Sequence, residues 1–174
     1  MKSKTILAGI MMVNLFSAHN IYAVPTAQVN LSPKSESKTQ GELHLVLKGE
    51  DVLLKGKITG LTPNSVHGFH VHENGDCSSK DGKSAGGHFN PNKKNHGGPE
   101  MNEHHAGDLG NIRANDKGEA IIDKKYSFIS LKEGDKESIL NKAVIIHSGR
   151  DDLKSRPSGD AGKRIACGVI KSRS

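Results

Sequence analysis

The sequence predicts an all-β protein, built as an eight-stranded sandwich or flattened barrel with two long functional loops. Short apolar runs alternate with turn residues along the chain, and no run has the length and 3.6-residue period of an amphipathic helix. In the stretch 41–48, the apolar residues Leu43, Leu45 and Leu47 occupy every second position. This spacing places them on one face of an extended strand.

Eight apolar runs are predicted strands, and turn-forming residues separate them. The turns at 48–51 and 115–118 contain Gly, Asp and Asn between apolar runs, as hairpin connections do. The predicted strands, in chain order, are 27–31, 42–47, 52–59, 68–72, 108–114, 119–123, 143–147 and 165–170.

Two stretches interrupt the strand pattern and form the predicted functional loops. Residues 73–107 are rich in Gly, Asn, Lys and His, and an irregular loop of that length needs something to hold it in place. A metal ion or a disulfide could do so. Residues 148–163 are also polar and glycine-rich, and they directly follow His147 at the end of a predicted strand.

The N-terminal residues are typical of an export signal. Lys2 and Lys4 precede an apolar stretch over 6–16, and Ala23 is a small residue suited to cleavage. The apolar stretch is too short to cross a bilayer. We therefore expect a signal peptide over 1–23 followed by one domain over 24–174, with no membrane anchor, located in a bacterial periplasm or secreted where there is no outer membrane.

Composition argues against nucleic acid as a partner. The formal net charge is +6, of which the signal segment carries two charges, and the remaining mild basic balance suits a small anion better. The domain has few rings for base stacking: Phe69, Phe89, Phe128 and Tyr126. It also holds two cysteines, Cys77 and Cys167, which would pair in an oxidising compartment.

Most of the ten histidines lie between His67 and His105, in and just before the first loop. His70 and His72 are two residues apart in a predicted strand, so both imidazoles project from one face and can meet one ion. Three histidines with one carboxylate suit tetrahedral zinc. A group of that kind follows at intervals that could surround a second ion: His88, His96, His105 and Asp108.

Simpler interpretations compete with a metal centre. A single histidine is usually an ordinary surface or core residue, which is the interpretation for His19 and His44. His67 is interpreted either as structural or as a residue that supports a metal ligand through a hydrogen bond. A His-x-His pair does not by itself specify a metal site. A histidine-rich loop could also chelate metal loosely.

Five segments in order resemble the copper,zinc superoxide dismutase family, and the resemblance covers about residues 27–171. They are His67-Gly-Phe-His-Val-His72, Ala85-Gly-Gly-His-Phe-Asn-Pro91, His96-Gly-Gly-Pro99, His105-Ala-Gly-Asp-Leu-Gly-Asn111 and Gly162-Lys-Arg-Ile-Ala-Cys-Gly168.

The resemblance implies an antiparallel Greek-key arrangement of the eight strands and one copper and one zinc ion per chain. His88 is implied to bridge the two metals, and the His-x-x-Asp spacing selects His105 over His104. The implied copper ligands are His70, His72, His88 and His147. The implied zinc ligands are His88, His96, His105 and Asp108.

Further roles follow from the resemblance. Asp151 is implied to link His70 and His96 through hydrogen bonds to both rings. Cys77 and Cys167 are implied to form an intrachain disulfide that ties the first loop to the last strand.

The implied activity is dismutation of superoxide to dioxygen and hydrogen peroxide, with the superoxide anion as substrate. His88 is implied to take up a proton during turnover, and Arg164 to orient the anion beside copper. Lysines in the two loops are a hypothetical rim for the substrate channel: Lys80, Lys83, Lys154 and Lys163.

Two other functions remain open at this point. A copper-delivery or metal-binding protein on the same fold would bind metal without turnover, and a histidine-rich zinc buffer would bind zinc in loose stoichiometry. The presence of all four implied copper positions and of Arg164 favours an enzyme. Residues 96–111 resemble eukaryotic members and residues 73–77 resemble bacterial periplasmic ones, so a homodimer is an open alternative without an assigned interface.

Overall fold

The computed structural model describes residues 24–173, so the predicted signal peptide over 1–23 lies outside the described residues. Within 24–173 the chain forms nine β-strands, one short 3₁₀ helix at Lys83–Ala85 and no α-helix. The strands are β1 Thr26–Pro33, β2 Gln40–Lys48, β3 Asp51–Thr59, β4 Val66–His72, β5 Asp108–Arg113, β6 Ala120–Tyr126, β7 Ala143–His147, β8 Arg164–Val169 and β9 Lys171–Arg173.

All eight predicted strands are confirmed, together with the all-β fold class. The ninth strand, β9, was not predicted. Its three residues are exposed and pair with β1 through Thr26 opposite Arg173 and Ala27 opposite Ser172. Because β9 is held by backbone pairing and buries no side chain, no apolar alternation marks it in the sequence.

Alternating apolar residues build the core between two sheets. In β2 the leucines Leu43, Leu45 and Leu47 are buried while the residues between them are exposed, which is the pattern of a strand with one face in the core. In β7, by contrast, all five residues are buried. The outer face of β7 is covered, because Ile145 packs with Ala85 from the first loop.

The strands follow the order β5-β4-β7-β8-β1-β2-β3-β6, and all neighbours are antiparallel. Strand β1 belongs to both sheets: residues 26–31 pair with β2, whereas Ser32 and Pro33 pair with β8. The result is a nearly closed eight-stranded antiparallel barrel to which β9 is added at β1.

The barrel remains open between β5 and β6, which stand at the two ends of the strand order. One side chain bridges this gap, which no backbone pairing closes: the Tyr126 hydroxyl of β6 donates a 2.9 Å hydrogen bond to the Leu109 carbonyl of β5. Tyr126 is buried at this position.

The two predicted loops lie against the β4–β7 sheet and are tied to it. The Val71 amide of β4 donates to the Gly107 carbonyl at 2.8 Å, and the Phe89 amide donates to the Val71 carbonyl at 2.9 Å. A disulfide joins Cys77 in the first loop to Cys167 in β8, with a Cα–Cα distance of 5.7 Å, which confirms the predicted bond. Among residues 24–173, no helix is long and apolar enough to cross a membrane.

Candidate metal centre

Strands β4 and β7 and the first loop bring four histidines together. His70 and His72 extend from β4, which pairs with β7 so that Val71 lies opposite Val144. His88 of the first loop forms an isolated β-bridge with His72. One potential ligand atom from each member lies within 4.8 Å of the others in the set His70, His72, His88 and His147.

These four histidines each have one ring nitrogen that is bonded and one that has no hydrogen-bond partner. His72 Nδ1 donates to the Gly86 carbonyl at 2.9 Å, and His147 Nδ1 donates to the Gly162 carbonyl at 3.2 Å. These bonds leave a lone pair on the other nitrogen of each ring. The buried unpaired nitrogens are His70 Nδ1, His72 Nε2, His88 Nε2 and His147 Nε2.

Unpaired buried nitrogens are costly for an apo protein and suit a cation. Leaving one such group unsatisfied costs on the order of 1–3 kcal/mol, and native proteins rarely group several of them. Four imidazole lone pairs that face one another form a donor set that copper prefers. This arrangement therefore fits a copper ion.

A second cluster lies next to the first and shares His88 with it. Asp108 Oδ1 is 2.7 Å from His88 Nδ1, 3.1 Å from His96 Nδ1 and 3.2 Å from His105 Nδ1. His105 Nδ1 and His88 Nδ1 are 3.5 Å apart. In tetrahedral zinc with bonds of about 2.0–2.1 Å, ligand atoms are roughly 3.3 Å apart, so the set is already close to zinc geometry.

Asp151 forms hydrogen bonds to one ring of each cluster. Its Oδ2 accepts a 2.7 Å hydrogen bond from His70 Nε2, and its Oδ1 accepts a 3.0 Å bond from His96 Nε2. Both bonds leave the Nδ1 atom of the ring free for a metal. The carboxylate therefore orients one ring in each cluster.

Three histidines of the first cluster are held in their neutral form: His72, His88 and His147. Burial, reinforced by repulsion from neighbouring histidines, lowers the pKa of His147 to about 3 and that of His72 well below its usual value. Burial also lowers the pKa of His88 to about 4, although Asp108 opposes this shift. A neutral imidazole is the form that binds a metal.

The second cluster carries excess negative charge that requires a cation. Burial alone would lower the pKa of His96, but hydrogen bonds with Asp108 and Asp151 outweigh burial and raise it to about 9. Burial alone would raise the pKa of Asp108, yet hydrogen bonds with His105, His88 and His96 hold it far below its usual range. Zn²⁺ in this place would supply the positive charge that a proton supplies in its absence.

Arg164 begins β8 and lies opposite His147 of β7. Its guanidinium donates to the Gly82 carbonyl at 2.8 Å and to the Gly86 carbonyl at 2.7 Å. The side chain borders a cavity of about 660 Å³. Of the four lysines considered in the sequence, Lys80, Lys83 and Lys163 line this cavity with Arg164, whereas Lys154 does not.

The sequence did not reveal two backbone features of the site. The Gly86 carbonyl accepts hydrogen bonds from both His72 Nδ1 and Arg164 Nη2, and a carbonyl leaves no side-chain signal. Asn111 exchanges two 2.9 Å hydrogen bonds with the backbone of Asp151.

His104 is buried outside both clusters, with its ring 4.4 Å from that of Phe128.

Comparison with known proteins identifies the family. Residues 39–170 match the family model described as "Copper/zinc superoxide dismutase (SODC)". The chain belongs to the copper/zinc superoxide dismutase family.

Relatives across several lineages share this family. Superoxide dismutase [Cu-Zn] 2 of Aquifex aeolicus (strain VF5) is 45% identical over 140 residues, which cover 79% of this chain and 82% of the relative. The extracellular superoxide dismutase [Cu-Zn] of Haemonchus contortus is 42% identical over 140 residues, which cover 77% of this chain and 74% of the relative. The crystal structure of the clock protein EA4 aligns with a TM-score of 0.76 at 37% identity, covering 88% of this chain and 98% of that one.

The family and the two clusters agree on the chemistry. The enzyme is a copper/zinc superoxide dismutase with a copper site and a zinc site that share His88. The predictions of an enzyme and of one ion of each metal are confirmed, in preference to the zinc buffer or the copper-delivery protein.

Proposed function

We propose that the residues of this site divide the work of superoxide dismutation as the sequence predicted. His70, His72, His88 and His147 hold copper, and His88, His96, His105 and Asp108 hold zinc. The observation that carries this division is the set of four unpaired ring nitrogens beside a separate histidine–carboxylate group. Copper, when bound, supplies the one-electron oxidation and reduction of superoxide.

Arg164 binds and orients the superoxide anion. Its charge is permanent, and the Gly82 and Gly86 carbonyls fix the position of the guanidinium before substrate arrives. The Gly86 carbonyl also fixes the His72 ring. One backbone atom therefore aligns the anion-binding cation with a copper ligand, which lowers the cost of orienting substrate.

His88 holds and delivers a proton at Nε2. Its Nδ1 faces Asp108 at 2.7 Å, so the Nε2 atom on the copper side is the free position for proton uptake. The ring is almost completely buried, so bulk water has little access to it.

Reconstitution of residues 24–174 tests this division of work. The wild-type chain is loaded with copper and zinc, and metal content and superoxide removal are measured. For Arg164→Ala we expect full metal content with superoxide removal reduced by about 10–100-fold. For His88→Ala we expect copper and zinc both to bind more weakly.

His44→Ala is the matched control, since His44 lies on β2 and its side chain is 46% exposed. It should retain metal content and activity. Normal copper and zinc affinity in His88→Ala, or unchanged activity in Arg164→Ala, would contradict the assignments.

We also propose that residues 1–23 direct export and that the domain begins after cleavage near Ala23. Lys2, Lys4 and the apolar stretch 6–16 support this proposal, as does the extracellular relative from Haemonchus contortus. A bacterial periplasm is the proposed destination, and a homodimer stays a prediction. N-terminal sequencing of protein from fractionated cells tests export, and retention of residues 1–23 in the cytosolic fraction would contradict it.

A further inference from the structure

Met101 lies in the first loop, close to the second. Its thioether sulfur accepts a 3.2 Å hydrogen bond from the Gly98 amide, while the Met101 amide donates to the Gly98 carbonyl at 2.9 Å. A methyl group placed on Gly98 would meet Leu153 Cδ1 at 3.3 Å and the Met101 sulfur at 3.7 Å. The sulfur and the Leu153 side chain of the second loop therefore border the same space.

The Met101 side chain is exposed to solvent. Met101 is 48% exposed, and the other three methionines fall within residues 1–23. Cys77 and Cys167 are joined in a disulfide. Met101 is thus the sole thioether of the domain, and a small oxidant in solution can reach it.

Hydrogen bonds connect the residues on both sides of the sulfur to the zinc cluster. On the Gly98 side, the neighbouring Gly97 amide donates to Asp108 Oδ2 at 3.1 Å. On the Leu153 side, the Leu153 amide donates to Asp151 Oδ1 at 2.7 Å. That oxygen also accepts the hydrogen bond from His96, so a change at the sulfur can reach His96 from two directions.

We propose that Met101 is a modification site, oxidised to methionine sulfoxide by the hydrogen peroxide that the enzyme's own reaction releases. The sulfur lone pair attacks one peroxide oxygen, the O–O bond breaks and a sulfur–oxygen bond forms. The proton on the attacked oxygen passes to the other oxygen, which leaves as water. The sulfur loses two electrons and the peroxide gains them, so no other reactant is required.

Oxidation changes the contacts that Met101 makes. The sulfoxide oxygen is polar and a stronger acceptor than the thioether, so the Gly98 amide must rearrange toward it, and a polar group then lies beside apolar Leu153. The turn that carries His96 loosens, and zinc leaves faster. This consequence rests on the proposed zinc ligands, whereas the oxidation itself does not.

Mass spectrometry and a zinc-release assay test the proposal on the chain 24–174 loaded with both metals. Wild-type and Met101→Leu proteins receive the same doses of hydrogen peroxide. Zinc release to a chromophoric chelator is then followed before and after treatment with methionine sulfoxide reductases. Leucine preserves the size of the side chain without a sulfur, so it is the matched control for peroxide damage elsewhere, including the histidines.

We expect one added oxygen on the peptide that contains Met101, and zinc release about tenfold faster in oxidised wild type, as for loss of an outer contact to a metal ligand. Met101→Leu should keep its original rate, and the reductases should restore wild type. A peptide that gains no oxygen at doses that oxidise free methionine overturns the proposal. Three other results would also overturn it. The zinc-release rate of the oxidised wild type could be unchanged, peroxide could raise the rate of Met101→Leu equally, or the reductases could fail to restore the original rate of the wild type.

The starting protein separates failure of this proposal from failure of the zinc assignment. A wild-type chain that binds no zinc before peroxide treatment would contradict the assignment of His96 and Asp108. The mass of the Met101 peptide would still decide whether oxidation occurs at this sulfur.

Discussion

At the scale of single residues, Asp151 shows how the site is organised by a group that belongs to neither histidine cluster. It is fully buried, and burial would raise its pKa. Hydrogen bonds from His70 and His96 and from the Leu153 amide instead keep the pKa of Asp151 below its usual value. Asn111 fixes its backbone from both sides. The ionised carboxylate therefore stays in place as an acceptor for two rings.

Asp151→Asn should weaken zinc binding. An amide offers one acceptor oxygen and one donor group, so it cannot accept hydrogen bonds from both His70 Nε2 and His96 Nε2, and one ring loses its orientation. We expect zinc affinity, measured by competition with a chelator, to fall roughly 10–100-fold. Asp152→Asn is the control, because that exposed side chain bonds only within residues 152–155. Equal zinc affinity in the two variants would contradict this role.

At the scale of elements, the disulfide and Arg164 hold the first loop against β8 at neighbouring positions. Cys167 and Arg164 both belong to β8. Cys77 lies in the loop, as do the Gly82 and Gly86 carbonyls that accept from Arg164. The loop is thus anchored before and after the residues that border the cavity, and this explains how a long irregular segment keeps a defined shape.

Replacing both Cys77 and Cys167 by serine should destabilise the protein. The bond closes a sequence separation of 90 residues, for which the chain-entropy model gives about 4.6 kcal/mol. Urea unfolding at fixed copper and zinc concentrations should show a lower free energy of unfolding by that amount. A loss below roughly 1 kcal/mol would show that the unfolded chain gains little freedom when the bond is absent.

Because of Tyr126, which lies at the seam between β5 and β6, the stability of the fold depends on pH in the alkaline range. Burial, with a smaller contribution from Glu100, raises the pKa of Tyr126 above its ordinary value of 10.0. The folded state then keeps this proton at a pH where the unfolded state loses it. The stabilising contribution is therefore complete below about pH 10 and is lost as pH rises above that value.

Tyr126→Phe should remove this dependence. At pH 7 the variant lacks the hydrogen bond to Leu109 and should be less stable by about 1 kcal/mol. The difference in Tm between wild type and variant should shrink as pH rises from 8 to 11, because lysine titration is common to both proteins. A constant difference across this range would contradict the raised pKa.

At the scale of the whole molecule, positive charge gathers around the cavity beside Arg164. The formal net charge is +6 for the full chain, and the cavity beside Arg164 is lined by Lys80, Lys83 and Lys163. Asp81 and Glu36 also line it and reduce the local positive charge. The balance favours an anion, and steering of this kind weakens as salt screens the charges.

A lysine-to-glutamine series should separate steering lysines from ordinary surface charge. Lys163→Gln and Lys80→Gln should each lower kcat/KM about two- to fivefold at low ionic strength and flatten its decline with added salt. Lys154→Gln removes the same charge from the second loop away from the cavity, so it is the matched control. Equal effects of all three substitutions would indicate a response to net charge alone.

Much of the fold, and part of the histidine clustering, could be predicted because both have local signals in the sequence. The two-residue alternation in Leu43, Leu45 and Leu47 reports a half-buried strand directly. The spacing of His70 and His72 places two donors on one strand. Strand β9 was not predicted because its three side chains are exposed and only backbone pairing with β1 holds it in place.

The sequence by itself determined the strand pattern, the two loops and the residue types that could bind metals, since each depends on side-chain character at short spacing. Only the tertiary structure decided which distant groups form hydrogen bonds with one another. The Gly86 carbonyl accepts from both His72 and Arg164, the Asn111 side chain bonds the Asp151 backbone, and the Tyr126 hydroxyl bonds across the seam. These hydrogen bonds join groups up to 78 positions apart. Chain closure brings such groups together, and no local pattern of side chains records it.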